Sequence, residues 1–151
     1  MRRYITALLL TLSAVFCIHA QERLTISVAA PEGISNENAA ATLTSNLKQA
    51  LVLNDAASDS SRFVLQARIA ELSKDVTSTA PPMFVTELEI SLFITDTSSG
   101  DVLSQTSFTI KGIADSDQAS YMDAVKKVKA RDPKLRALLN QAKEHFNEHI
   151  Y

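Results

Sequence analysis

The sequence predicts an α+β fold: a mixed sheet of about four strands with helices packed on it, in the order strand, helix, strand, strand, strand, helix, helix. Four segments alternate apolar and polar residues, as strands with one buried face do. Three others repeat apolar residues at the spacing of one helix face. About 130 residues follow the N-terminal apolar run, enough for one domain with a substantial core and too few for two. We therefore expect a single α+β domain over residues 21–151.

The first strand and the first helix come from residues 23–53. Residues 23–30 alternate apolar with polar side chains, which indicates a half-buried strand. Ser35 or Asn36 can cap a helix that runs to about Leu53. The apolar stripe of this helix consists of Ala40, Leu43, Leu47, Ala50 and Leu51. The crossover into the next strand is expected to make the first two strands parallel, or at least to place the helix on one face of the sheet.

Three further strands are predicted in residues 62–112. The second strand spans residues 62–72, and a Ser/Thr/Pro loop follows over residues 73–82, because prolines cannot donate to a sheet ladder. The third strand has the clearest alternation, with one face formed by Phe84, Thr86, Leu88, Ile90, Leu92 and Ile94. A hairpin turn over residues 96–101 leads into a fourth strand that ends at Gly112. The inward residues of the fourth strand include Phe108 and Ile110.

The C-terminal third is predicted to form two helices. Asp115 or Asp117 can cap the first helix, which runs to Lys129, and Pro133 fits the first turn of the second. The first helix is expected to bury Tyr121, Ala124, Val125 and Val128. The second presents one apolar stripe, formed by Leu135, Leu138, Leu139, Ala142, Phe146 and Ile150.

Residues 1–20 have the layout of a secretory signal peptide. Arg2 and Arg3 precede an apolar run of about 14 residues, shorter than the ~20 that a spanning helix needs, and Ala20 is a small residue at a suitable cleavage position. The lone cysteine, Cys17, stands where a lipoprotein would carry its lipid, but Phe16 is bulky where the lipoprotein peptidase takes a small residue. We expect export with cleavage after Ala20, and lipidation at Cys17 is the alternative.

The composition of the expected mature chain argues against several classes of function. Loss of Arg2 and Arg3 from the 15 basic residues leaves 13 against 17 acidic ones, hence a net charge near −4. The charges are scattered and the chain has no tryptophan, so neither a nucleic-acid surface nor a sugar-stacking platform is indicated. Cleavage after Ala20 would also remove the only cysteine, and an exported domain without disulfides fits a bacterial envelope.

Residues 145–149 read H-x-x-E-H, the inverted zinc-protease signature. A helix would place His145 and His149 on one face, four residues apart, where two imidazoles can share a zinc ion. That chemistry needs a third protein ligand downstream, and the sequence offers none between His149 and Tyr151. We therefore expect a solvated helix end and no metal site.

The remaining polar clusters are also better explained without catalysis. Asp115-Ser116-Asp117 lacks the glycine and glutamate of a calcium loop and is interpreted as a helix cap. Glu87 and Glu89 share a strand face about 7 Å apart, as alternation on a polar face produces. The loop serines have neither a histidine nearby in sequence nor nucleophile-elbow glycines. We expect no enzymatic activity, no catalytic residues and no cofactor.

Three apolar residues, Val64, Val85 and Phe93, fall on the nominally polar face of the predicted sheet. If no helix covered that face, these residues could form a partner-binding patch. Because the chain has three helices to place, we expect instead that helices pack there and that the sheet is buried on both sides.

The order of elements and several segments resemble a group of bacterial envelope domains. The first helix carries Leu43-x3-Leu47-x3-Leu51, and the second strand is entered through residues 61–65 (SRFVL) and continues as residues 66–72 (QARIAEL). The turn over residues 96–104 (DTSSGDVLS) is similar to the T-G-E-I-L-like turn of that group's long hairpin. The group includes the curli-secretion channel protein, the lipoprotein activators of penicillin-binding proteins and the amino-terminal domain of the Tol-system β-propeller protein.

This resemblance covers about residues 24–112 and implies a periplasmic or outer-membrane-associated adaptor. The C-terminal helical pair departs from these domains, although small exported proteins of Bacteroidetes-like bacteria carry a similar tail. Two functions are therefore predicted. The first is a non-enzymatic binding or assembly-accessory module that docks on another envelope protein through its sheet edge or hairpin. The alternative is a small-ligand or glycan-binding protein, with the loops at residues 54–61 and 73–82 as the rim of its site.

Overall fold

A computed structural model describes residues 22–149, and this part of the chain contains four strands and three helices in the predicted order. The strands are β1 (Ile26–Val28), β2 (Phe63–Val76), β3 (Phe84–Asp96) and β4 (Val102–Ala114). The helices are α1 (Glu37–Leu53), α2 (Asp117–Lys126) and α3 (Pro133–His149). The predicted signal peptide, Cys17 and Ile150 lie outside the described residues.

The four strands form one mixed sheet in the order β1-β2-β3-β4. β1 is parallel to β2, as the crossover through α1 predicted, and β2, β3 and β4 are successively antiparallel. The outer edge of β1 is covered by the loop after α1. Ile26 N donates to Ala56 O at 2.7 Å, and Ser58 N donates to Ile26 O at 3.0 Å. The β4 edge is the outer edge at the other side of the sheet.

All three helices pack on one face of the sheet, which we call the inner face. Its long apolar ladder consists of Phe63, Leu65, Ala67, Ile69, Leu88, Ile90, Leu92 and Ile94, all buried. α2 contacts β3 and β4, α3 contacts β4, and α1 contacts β1 and the other two helices. Asn46 of α1 also donates through Nδ2 to Val128 O at 2.9 Å, which joins α1 to the segment that follows α2.

The expectation that helices bury the sheet on both sides was wrong. The three helices use their apolar stripes on the inner face and on one another, so none remains for the opposite face among residues 22–149. Val64, Val85 and Phe93, which lie on that opposite face, are only half-buried.

The close approach of α2 to the sheet depends on Gly112 in β4. A Cβ atom built at this position would lie 1.9 Å from Ser120 O and 2.5 Å from Ala124 N, both backbone atoms of α2. Beside this contact, the Thr86 and Ser120 hydroxyl oxygens are 2.6 Å apart, and Ser120 donates to Asp117 O at 2.8 Å. The missing side chain at Gly112 therefore sets how near α2 lies to β4.

Two element boundaries differ from the predicted ones. β2 continues to Val76, because the segment predicted as the start of a loop keeps pairing with β3 past a bulge at Leu72. α2 ends at Lys126 instead of Lys129, and its N-cap is Ser116, whose Oγ accepts from Ala119 N at 3.2 Å. The cap predicted at Asn36 is present, and α3 begins at Pro133, the proline predicted to lie in its first turn.

Candidate functional site

Among residues 22–149 no helix packs on the second face of the sheet, and we call it the open face. It consists of six cross-strand rows along β2, β3 and β4. From the start of β2 to its end these rows are Val64–Thr95–Val102, Gln66–Phe93–Gln105, Arg68–Ser91–Ser107, Ala70–Glu89–Thr109, Ser73–Glu87–Lys111 and Asp75–Val85–Ile113. Apolar residues therefore lie at both ends of the open face, and hydroxyl, amide and charged side chains lie between them.

Phe93 is the only aromatic residue in these rows and has a cation over its ring. The Arg68 guanidinium carbon lies 5.5 Å from the ring centroid, within the range of a cation–π contact. Glu32 holds this arginine from the β1 side, with Oε2 3.3 Å from Arg68 Nε, and its Oε1 accepts from Gln66 Nε2 at 2.6 Å. Phe93 and Arg68 thus form an adjacent aromatic and cationic pair on the surface.

Three side chains from the helical layer reach the outer edge of β4. Lys127 Nζ donates to Lys111 O at 2.5 Å and Lys134 Nζ donates to Ser107 O at 3.1 Å. Asp123 Oδ2 accepts from Ile113 N at 3.0 Å, and this bond is the main reason that the pKa of Asp123 is lowered. Charged groups on an edge strand hinder pairing with another strand, so the β4 edge is protected along much of its length.

A polar cleft lies where α1 and α2 begin, beside β2. It has a volume of about 490 Å³ and is lined by Ser35, Asn36, Glu37, Asn38, Glu71, Lys74, Asp117, Gln118 and Tyr121. Lys74 Nζ is 3.0 Å from Asp117 Oδ2 and 3.3 Å from Glu71 Oε2. These two carboxylates raise the pKa of Lys74, with the Asp117 hydrogen bond as the larger cause.

The H-x-x-E-H histidines stack on one another at the end of α3. The ring centroids of His145 and His149 are 4.5 Å apart with an interplanar angle of 22°, and the His149 Nδ1 atom lies 3.3 Å from His145 O. Within residues 22–149, no three His, Cys, Asp or Glu side chains come together as a metal ion would require. The helical spacing was predicted correctly, and the described structure offers no third ligand.

The other polar groups considered in the sequence make structural contacts. Glu87 lies 3.6 Å from Lys111 Nζ across the open face, and Glu89 lies one row away, between Ala70 and Thr109. Ser116 caps α2, as described above, and Asp117 binds Lys74. Among the loop serines, Ser58 donates to Ser60 O at 2.7 Å.

The two loops predicted to form the rim of a ligand site do not come together. Residues 54–61 precede β2 and residues 77–83 follow it, and β2 has 14 residues. A strand rises about 3.3 Å per residue, so the two loops are separated by roughly 40 Å. The predicted rim was therefore wrong, and the cleft beside Tyr121 is formed by other residues.

The turn between β3 and β4 is anchored to the start of β2 by an ion pair that the sequence did not reveal. The Asp96 carboxylate is almost fully buried, with 3% of its side chain exposed. It accepts from Arg62 Nε at 2.8 Å and Nη2 at 2.5 Å, and from Ser98 N and Oγ at 2.9 and 2.7 Å. The Arg62 hydrogen bonds are the main reason that the pKa of Asp96 is held far below its usual range.

In the described part of the chain, no helix combines the length and apolar character needed to cross a membrane.

Comparison with known proteins supports the fold. No protein-family model and no curated protein matches the sequence with significance. The chain is similar in structure to protein XCC0632 from Xanthomonas campestris, of the DUF330 family, with 13% identity, a TM-score of 0.53 and coverage of 85% of this chain and 88% of that one. It is also similar to a minor lipoprotein from Acinetobacter baumannii, with 12% identity, a TM-score of 0.52 and coverage of 78% and 94%. At these identities the chain shares its α+β fold with bacterial proteins, one of them a lipoprotein, and the resemblance to the curli, penicillin-binding-protein and Tol groups stays a prediction.

Proposed function

We propose that this protein is an exported, non-enzymatic component of the bacterial envelope that binds another envelope protein through the open face of its sheet. The observation that carries this proposal is the one-sided packing of the sheet. Among residues 22–149 no element covers the open face, although apolar side chains lie at both of its ends. Val102 at one end is 46% exposed and Ile113 at the other end is 52% exposed, and apolar surface that a fold leaves exposed is a feature of interaction sites.

The Phe93–Arg68 pair is the expected centre of the interface. Aromatic residues and arginine are enriched among the residues that dominate binding energy at protein interfaces. Arg68 already contacts Glu32 and Phe93 in the free protein, so its position over the Phe93 ring would not have to form on binding. The surrounding Ser, Thr and Gln side chains would form the polar rim that such interfaces have.

The structure favours the open face over the sheet edge as the docking surface. Lys127, Lys134 and Asp123 occupy backbone groups of β4, and residues 56–58 cover β1. A partner strand added at β4 or at β1 would first have to displace these contacts. Docking through the edge, one of the modes predicted from sequence, is therefore not the mode we propose.

Placement in the envelope is supported by two further observations. Residues 1–20 have the layout of a secretory signal peptide, and one of the proteins of similar fold is a lipoprotein from Acinetobacter baumannii. A fold by itself does not determine function, so the partner must be identified by experiment.

Site-specific photo-crosslinking in the native host tests the proposal. A photoreactive residue at Gln105, which is exposed beside Phe93, should give a discrete adduct with one envelope protein. The matched control is the same residue at Gln141, exposed on α3 in the helical layer, which should give none. The Gln105 adduct should disappear when Phe93→Ser is added. Equal adducts from both positions, or an adduct that survives Phe93→Ser, would contradict docking on the open face.

A further inference from the structure

We infer that residues 126–136, which we call the basic segment, dock on the surface of an anionic phospholipid bilayer. Six residues of the segment are basic and all six are exposed: Lys126, Lys127, Lys129, Arg131, Lys134 and Arg136. Asp132 is the one acidic residue among them, so the basic segment has a net charge of +5. In the rest of the expected mature chain 7 basic residues stand against 16 acidic ones. Positive charge is therefore concentrated in this segment.

Most of this positive charge has no carboxylate partner in the fold. Four of the six cations form no ion pair within residues 22–149: Lys126, Lys129, Arg131 and Arg136. Lys134 donates to the backbone of β4, and its Nζ atom lies 5.2 Å from the centroid of the Phe108 ring. The charge of the basic segment is therefore available to an anionic partner.

The core anchors the backbone of the basic segment. Val128 and Leu135 are 0% and 1% exposed, and Arg136 N donates to Asp132 O at 3.1 Å. Asp132 Oδ1 accepts from Lys134 N at 2.8 Å, which engages the one acidic side chain at the start of α3. The cations are therefore presented together where α2 passes into α3, and this backbone would not have to be ordered on binding.

An exposed apolar side chain borders the basic segment. Leu53, at the end of α1, is 47% exposed and lines a cleft of about 270 Å³ together with Arg131 and Arg136. Basic residues beside exposed apolar ones are typical of surfaces that lie in the membrane interface, where cations meet phosphate groups and apolar side chains enter the headgroup boundary. Leu53 and the two arginines therefore match the chemistry of a bilayer surface.

The N-terminal end of the described chain lies beside the same cleft. Arg23 Nη2 is 3.9 Å from Asp55 Oδ2, and the residue before Asp55, Asn54, lines the cleft. Cys17, the alternative site of lipidation, precedes Glu22 by five residues, a chain length of at most about 18 Å. A lipid on Cys17 would therefore hold this end of the molecule near the bilayer. This placement favours a bilayer over a soluble acidic protein as the occupant.

Vesicle co-sedimentation tests the inference with residues 21–151, the expected mature chain, which contains every described element of the fold. The probes are vesicles of phosphatidylglycerol and phosphatidylcholine in equal parts, vesicles of phosphatidylcholine alone, and soluble polyglutamate as an acidic polymer. Binding to the anionic vesicles should be about 10-fold or more tighter than to phosphatidylcholine, and added salt should weaken it. Equal binding to both kinds of vesicle, or preferential binding to polyglutamate, would overturn the inference.

Two double variants separate the basic segment from net charge. Arg131→Gln/Arg136→Gln should weaken binding to the anionic vesicles by about 10-fold or more, at about 5-fold for each basic side chain near an anionic surface. Arg68→Gln/Lys74→Gln removes the same charge from exposed ion pairs of β2, and binding should stay within about 2-fold of the parent.

Equal losses in the two double variants would reduce the binding to net charge and would contradict docking through the basic segment. The basic segment belongs to the helical layer, whereas the crosslinking test probes positions on the open face. The failure of one proposal is therefore distinguishable from the failure of the other.

Discussion

The inner and open faces of the sheet are formed by the same three long strands, yet their side chains differ in how deeply they are buried. On β3 the inner residues Leu88, Ile90, Leu92 and Ile94 are fully buried under the helices. On the alternate positions Glu87, Glu89, Ser91 and Phe93 are half-buried and contact only their neighbours in the sheet. The comparison indicates that stability resides in the inner face and that the open face is free to serve recognition.

The largest loss of stability is expected from adding a side chain at Gly112, on the inner face. Gly112→Val would place side-chain atoms against the backbone of α2, 1.9 Å from Ser120 O at the Cβ position alone. Since backbone cannot move aside as a side chain can, we expect a loss of about 3 kcal/mol or more, or failure to fold. Chemical denaturation followed by circular dichroism measures this. Thr109→Val, on the same strand but on the open face, is the control and should stay within about 0.5 kcal/mol of the parent.

The same substitution at two phenylalanines compares the faces directly. Phe108 on the inner face of β4 is 7% exposed, and Phe108→Ala should lower the free energy of unfolding by about 3 kcal/mol. Phe93→Ala on the open face should cost about 1 kcal/mol or less. Both values come from urea unfolding curves. Equal losses would mean that the open face is covered in solution, and would contradict the one-sided packing.

The buried hydroxyl pair between β3 and α2 gives a smaller effect on the inner face. Ser120→Ala removes the acceptor of the Thr86 hydroxyl, which is fully buried. An unsatisfied buried hydroxyl costs about 1–3 kcal/mol. Adding Thr86→Val should restore part of that loss, because it removes the unsatisfied group. Thermal unfolding of the single and double variants tests this, and a double variant less stable than Ser120→Ala would contradict the explanation.

The Asp96–Arg62 pair predicts how stability depends on pH. The pKa of Asp96 is lowered in the folded state, with the Arg62 hydrogen bonds as the main cause. Its contribution is therefore complete above the unfolded pKa of about 3.9 and is lost as the pH falls through the lower folded value. The melting temperature of the parent should fall more steeply below about pH 4 than that of Asp96→Asn, which has no carboxyl to protonate there. Parallel curves for the two proteins would contradict this assignment.

The pattern of the sequence was sufficient for the elements and for the inner face. Alternation in β3 and the stripe of α3 identified residues that the structure buries, because side-chain direction follows the local period. The N-cap of α2 was predicted one residue away from its true position, because Asp115, Ser116 and Asp117 are all residue types that cap helices. The backbone of Ser116 (φ −141°, ψ 161°) brings its Oγ to Ala119 N, and residue type alone does not distinguish the three.

The candidate sites were less accessible from the sequence, because they depend on tertiary placement. The number of helices suggested a sheet covered twice, but the packing of α1 on α2 and α3 left one face open. Tyr121 was correctly predicted to be buried, but the cleft that it lines exists only because α1, α2 and β2 meet there. Lys74 and Asp117, which bridge that cleft, are 43 positions apart in the chain. No short motif marks such a meeting point.

The smallest change in stability is expected from replacing Lys127 and Lys134, the two lysines that donate to the backbone of β4. The same replacement tests whether they protect the β4 edge. In the double variant Lys127→Ser/Lys134→Ser the carbonyl oxygens of Lys111 and Ser107 lose their side-chain donors. The melting temperature should stay close to that of the parent, since exposed side-chain contacts with the backbone contribute little.

Self-association should nevertheless increase, because an unprotected edge strand can pair with another chain. Sedimentation velocity over a range of concentrations measures this, with the double variant Lys126→Ser/Lys129→Ser as the control. Lys126 and Lys129 are exposed and contribute the same charge, but neither donates to β4. A concentration-dependent increase in sedimentation coefficient confined to Lys127→Ser/Lys134→Ser would show that these lysines protect the edge. The same behaviour in both double variants would reduce their role to net charge, and the β4 edge would again compete with the open face as the docking surface.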